Sequence, residues 1–154
     1  MSEPRVTVKL THRQDYQFDT DFGAGMPSVL ADEPPPLGQG MGPSPMHLLC
    51  AAVGNCLAAS LRFACGKFKQ SPDPVACEVM AEVGRNADKR MRVLGMTARL
   101  TLGVPAASIE HLDRILGSFE DFCTVTASVR AAFPVTVTVV DSLGVELTGA
   151  TAAA

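Results

Sequence analysis

The chain has 154 residues, 47% hydrophobic and 19% charged, a globular composition that suits one domain burying roughly two-thirds of its unfolded surface. A net charge of -3, from 13 basic and 16 acidic residues spread along the sequence, comes with no basic run or basic-aromatic patch, which argues against a nucleic-acid or membrane-surface partner. The first residues lack the basic and apolar regions of an export signal, so a cytoplasmic protein is expected. The longest apolar stretch, from His47 to Arg62, is interrupted by Asn55 and Ser60 and reads as too short and too broken to span a bilayer.

Val6, Val8 and Leu10 alternate with polar residues as a half-buried strand. Tyr16, Phe18 and Phe22 repeat that period after the polar turn 12–15, so a hairpin is expected, with a short third strand within 26–31. Residues 32–42 are too rich in Pro and Gly for regular structure, and a loop of this length is usually functional or mobile. Gly42-Pro43-Ser44-Pro45 is a helix start: Ser44 caps the free N–H groups and Pro45 fits the first helical position. The helix should run to Lys67 or Phe68. It is apolar nearly all round from Leu48 to Ala59, which a chain of this size would struggle to cover alone and which hints at a second subunit.

Beyond Ser71-Pro72-Asp73-Pro74, Cys77 to Val83 and Leu94 to Leu102 alternate as a second hairpin around the charged turn 85–90. Ser108 reads as the cap of a helix carrying Ile109, Leu112, Ile115, Leu116 and Phe119. A short helix over Val125, Val129 and Ala132 and a strand over 134–139 follow. The expectation is a single domain over 1–148 with a frayed, disordered tail at 149–154.

Five cysteines, an odd number without a Cys-x-x-Cys pair, point to reduced thiols, and neither a disulfide framework nor a structural zinc site is expected. His47 and Cys50 share a helix face, but two ligands do not make a metal site. Cys50 and Cys56 lie about 9 Å apart along a helix that rises roughly 1.5 Å per residue, too far for a disulfide. Cys65 falls on the opposite face from Cys56, which leaves Cys77 or Cys123 as a partner. Cys50, Cys65 and Cys77 read as small packed hydrophobes.

The run from Gly42 to Cys56, with its Gly-x-Ser-Pro start and Ala-rich approach to one cysteine, resembles the helix signature of the OsmC/Ohr family. Phe122-Cys123-Thr124-Val125-Thr126 looks like the second cysteine segment of that family, and the order of expected elements matches over nearly the whole chain. The resemblance implies an α+β OsmC-like fold, with a long buried central helix between antiparallel sheets in an intertwined homodimer. It further implies a thiol peroxidase for small organic hydroperoxides, in which Cys56 is oxidised to a sulfenic acid that Cys123 resolves. No bound cofactor is implied; some members are re-reduced by external dithiols of the lipoyl type.

Attack on a peroxide needs a thiolate, and Cys56 is too deep in its helix for the helix dipole to supply one. In the peroxidase branch an arginine from an N-terminal loop does so, held by a glutamate near the start of the central helix. Arg13, in the expected hairpin turn, matches the arginine. The carboxylate is missing: its place falls on Met46, with His47 next, so the chain reads as a divergent member, and Glu120 is a candidate substitute. His47 faces away from Cys56 on the helix. The alternative function is a non-catalytic dimer that binds a small apolar ligand or acts as a redox sensor.

Overall fold

The structure, a computed structural model, describes residues 2–147 and 151–153, and the chain divides into two compact units, 1–49 and 50–154. In the first unit, β1 (Lys9–Gln14), β2 (Gln17–Asp21) and β3 (Val29–Ala31) form an antiparallel sheet in that order. A hairpin forms, but β1 starts only at Lys9 and is exposed throughout in the single chain, which corrects the expected half-buried strand from Val6. Its turn moves to Asp15 and Tyr16, which places Arg13 in β1 and not in the turn. The reason is local. Asp15 takes a left-handed conformation (φ 47°) that short polar residues tolerate, and its carbonyl meets His12 Nε2 at 3.1 Å. The ladder therefore continues past His12, which pairs with Phe18.

The Pro/Gly-rich segment after β3 is organised around the buried carboxylate of Asp32. It accepts hydrogen bonds from the backbone N–H groups of Glu33 (2.8 Å), Gln39 (3.2 Å) and Met41 (3.1 Å). Gly42 passes so close to β3 that a Cβ there would stand 1.7 Å from the Leu30 carbonyl oxygen. A loop with this many internal hydrogen bonds is a structured turn, and it delivers the chain to the start of α1 (Pro45–Lys67).

Ser44 caps α1 as the sequence implies, its Oγ accepting from the His47 N–H at 3.4 Å. His47 returns the bond: its Nδ1 accepts from the Ser44 N–H at 3.1 Å and lies 2.8 Å from Ser44 Oγ. This is a reciprocal capping box with an imidazole where a Glu or Gln usually reaches back. The helix continues unbroken through Asn55 and Ser60. Its 23 residues meet the length and composition of a bilayer span, which corrects the reading of this stretch as too short. Val53, Leu57, Leu61, Ala64 and Cys65 are nevertheless at most 1% exposed within the protein, so one face of the helix is packed, while Ala51, Ala52, Ala59 and Phe63 are exposed in the single chain. Gly54 permits the packing, since a Cβ there would meet Val79 Cγ2 at 2.9 Å.

In the second unit, β4 (Ala76–Arg85), β5 (Met91–Thr101), β6 (Val135–Val140) and β7 (Thr151–Ala153) form one sheet in that order. The fold is α+β, but this sheet is mixed: β5 and β6 run parallel, with Ala98 opposite Val137, which corrects the expectation of purely antiparallel sheets. A parallel neighbour needs a crossover. It is supplied by α2 (Leu112–Ser118), a 3-10 turn at Phe119–Phe122 and α3 (Thr124–Val129). Ser108 does not cap α2. Its hydroxyl donates to the Pro105 carbonyl at 2.7 Å within a separate 3-10 turn, and α2 begins after His111 at φ 58°. β7 pairs antiparallel with β6, so three residues of the expected frayed tail are corrected to a strand that uses the free edge of β6; residues 148–150 and 154 lie outside the described residues. Leu100, Val137, Val139, Ile115 and Phe119, all at most 1% exposed, complete the core of this unit.

Candidate functional site: a thiol pair at an open cleft

Ala59, Ser60 and Phe63 follow Cys56 at i+3, i+4 and i+7, so the four share one face of α1. With Phe122 and Thr124 they line a cleft of about 500 Å3, with Asp121 at its edge. The Phe63 and Phe122 rings meet edge-on, 5.1 Å between centroids, and Lys67 Nζ lies 4.4 Å from the Phe122 centroid and 5.2 Å from that of Phe63. These contacts fix the segment before Cys123 against the helix face that carries Cys56.

The cleft therefore has two sulfurs in different settings. Cys56 is half-buried and lines the wall; Cys123 is fully buried behind it. The Cys123 thiol donates to the Thr126 hydroxyl at 2.9 Å, and the Cys56 side chain is near enough to shift its titration. Burial pushes the Cys123 thiol above its ordinary value, the Thr126 hydroxyl and nearby backbone N–H pull it back, and the Cys56 side chain pushes it up further. The net direction is upward, so Cys123 holds its proton while Cys56 faces solvent.

Of the two partners left open by spacing, Cys123 is the thiol whose titration Cys56 affects. Cys77 faces another side of α1, its Sγ 3.4 Å from where a Gly54 Cβ would stand, and it shares a groove of about 410 Å3 with Cys50. Both are half-buried, not packed hydrophobes as expected; Cys65 is fully buried as expected. Burial raises the thiols of Cys65 and Cys77, with the Asp73 charge adding to the rise at Cys65.

The other two sequence candidates stand as ion pairs. Arg13 binds Asp19 across the hairpin, Nη2 to Oδ1 2.9 Å, with both side chains well exposed. Glu120 holds an arginine, Arg130, at 2.5 Å, and the Arg130 guanidinium also donates to the Val135 carbonyl at 2.9 Å. Sequence reasoning missed Phe63, Lys67, Thr126 and Arg130. Phe63 falls seven residues after Cys56, two helical turns on, and Thr126 falls three after Cys123, so spacing alone held a signal for both.

A protein-family profile described as OsmC-like protein matches residues 38–138. The chain belongs to the OsmC-like family. Solved structures agree on the fold. An OsmC-like protein of unknown function from Vibrio cholerae has 16% identity and a TM-score of 0.74, with 91% of this chain and 100% of that one covered. The organic hydroperoxide resistance protein OhrB of Bacillus subtilis has 17% identity and a TM-score of 0.68, with 87% and 98% covered. An organic hydroperoxide resistance protein OsmC from Legionella pneumophila has 15% identity and a TM-score of 0.69, with 90% and 98% covered. A search of curated protein sequences returned no match.

Proposed function

We propose that this OsmC-like protein is a cytoplasmic thiol peroxidase that reduces small organic hydroperoxides. The observation that carries the reading is a cleft-lining thiol, Cys56, opposite Phe122 and Thr124, the two neighbours of the buried thiol Cys123. The relatives named for organic hydroperoxide resistance point the same way. The Cys56 thiolate attacks the peroxide oxygen, the O–O bond breaks, and ROH leaves with a proton taken up, giving a sulfenic acid. Cys123 attacks that sulfur, forming the disulfide and releasing water. An external dithiol of the lipoyl type then reduces the disulfide and is itself oxidised. The aromatic wall of Phe63 and Phe122 favours an alkyl or aryl hydroperoxide over hydrogen peroxide. Arg13 and Glu120 enter as the candidate cation and carboxylate, each tested by its alanine variant.

The working unit is read as a homodimer. Val6, Leu10, Tyr16, Met80, Met91 and Leu94 are all exposed in the single chain, a load of apolar surface that a second copy would cover. Light scattering of the purified protein decides this.

Peroxide consumption by the reduced protein, with cumene and tert-butyl hydroperoxide, tests the chemistry. Turnover lost in Cys56→Ser, with a sulfenic acid trapped in Cys123→Ser, is the expected result; no consumption by the reduced protein overturns it. A second reading, a binding module, is favoured by one observation. In the first unit Leu10, Tyr16, Phe18, Ala31, Pro45 and Leu48 line a largely apolar cavity of about 350 Å3 beside Asp32. Ligand binding unchanged in Cys56→Ser, without peroxide turnover, would support that reading.

A further inference from the structure

We propose that Thr126 is the positioning residue of the thiol pair: its hydroxyl receives the Cys123 S–H in the reduced state and turns to donate to the Cys123 thiolate when the disulfide is made or broken. This inference rests on Cys56 and Cys123 forming a redox pair, but not on a hydroperoxide being the oxidant.

Cys123 and Thr126 are both 0% exposed, and the Thr126 hydroxyl lies 2.9 Å from Cys123 Sγ. A thiolate born at that depth has no bulk water to solvate it, and a buried anion without a donor is strongly disfavoured. A hydroxyl is the fitting partner because it rotates between accepting from a thiol and donating to a thiolate without moving a heavy atom. α3, which begins at Thr124, holds Thr126 in place behind the sulfur.

The consequence is a direction for disulfide exchange. An incoming thiolate R–S⁻ reaches only the cleft-facing sulfur of Cys56. The new bond is Cys56–S–S–R, the bond that breaks is Cys56–Cys123, and Cys123 leaves with the electron pair into the Thr126 hydrogen bond. The second thiol of the dithiol then displaces Cys56, leaving two reduced cysteines and an oxidised dithiol. Leaving groups depart faster when their thiolates are stabilised, so Thr126 speeds the first exchange and fixes which sulfur is attacked.

The test uses diamide to form the Cys56–Cys123 disulfide in the full-length protein, without any hydroperoxide, and follows its reduction by dithiothreitol. In Thr126→Val, which keeps the shape and removes the hydroxyl, the reduction rate should fall at least about tenfold, the scale of losing one hydrogen bond to a charged group. Thr126→Ser should restore most of the rate. Quenching the wild-type reaction with a monothiol should leave the mixed disulfide on Cys56 and not on Cys123. A Thr126→Val rate equal to wild type, a Thr126→Ser rate as slow as Thr126→Val, or mixed disulfide equally on both cysteines overturns the proposal. Failure of diamide to form the disulfide in wild type overturns it along with the redox-pair reading. Exchange that behaves as expected in a protein that consumes no hydroperoxide removes the peroxidase reading alone.

Discussion

Glu120 and Arg130 form an ion pair of 2.5 Å with both side chains about four-fifths buried, and the same guanidinium donates to the carbonyl of Val135. The pair ties the turn before Cys123 to the first residue of β6. Removing one partner leaves the other charge poorly solvated, a loss that reaches 3–5 kcal/mol for fully buried pairs. Glu120→Gln should therefore lower stability by about 1–3 kcal/mol in urea denaturation. A change below the error of the measurement would mean that water solvates Arg130.

The two site thiols should differ in reactivity in the native protein. Iodoacetamide is expected to label Cys56 before Cys123, because only Cys56 lines the cleft and the buried Cys123 keeps its proton. Peptide mass mapping over a time course checks the order. Equal labelling would show that the segment from Phe122 to Thr124 opens readily.

Phe122→Ala removes an edge-on ring contact with Phe63 and a cation–π contact with Lys67. The ring pair alone is worth about 0.5–1.5 kcal/mol. Thermal melting should drop accordingly, and the widened cleft should narrow the labelling gap between Cys56 and Cys123. A melting temperature equal to wild type would show that the aromatic latch does not hold in solution.

Acid should loosen the protein at three carboxylates. At Asp32 burial pushes the carboxyl up, but the N–H groups of Met41, Gln39 and Glu33 and the Gln17 side chain together leave it below its ordinary value. Asp141 is lowered first by the Ala106 N–H and then by those of Val145 and Leu143, with burial opposing. Asp73 is lowered by its hydrogen bonds with Arg62, Nε to Oδ1 at 2.7 Å. A carboxyl lowered on folding contributes stability that is fully present above its unfolded value, about 3.9, and is lost as pH falls through the folded value. Stability should therefore hold near neutrality and decline below about pH 4, with Asp32→Asn less stable at neutral pH and flatter in acid. A parallel decline in wild type and Asp32→Asn would remove Asp32 from the account.

The helix over Pro45–Lys67 was legible almost to the residue, because a proline-primed cap and an unbroken apolar run agree on its start and length. The α+β class and the cysteine segments were legible for the same reason, each local signal supporting its neighbour. What sequence could not show were long-range choices. The parallel partnership of β5 and β6 depends on where the crossover returns the chain, and alternation reads the same for parallel and antiparallel neighbours. His47, seen only as the place of a missing carboxylate, is the reciprocal cap of Ser44, a role that spacing permits but a histidine does not advertise. Ser108 misled because a hydroxyl has two uses, and here the Pro105 carbonyl takes it. Arg130 was invisible as a partner for Glu120 because ten residues and a helix separate them.

Cys56 and Cys123 sit side by side in space but about 70 residues apart along the chain. A covalent link between them would close a loop of that length, and the chain-entropy model assigns such a link about 4 kcal/mol through the unfolded state alone. Oxidation would then act as a reversible staple from the middle of α1 to the foot of α3. The same protein would be hardest to unfold while waiting for its reductant, and a melting curve would double as a gauge of its oxidation state.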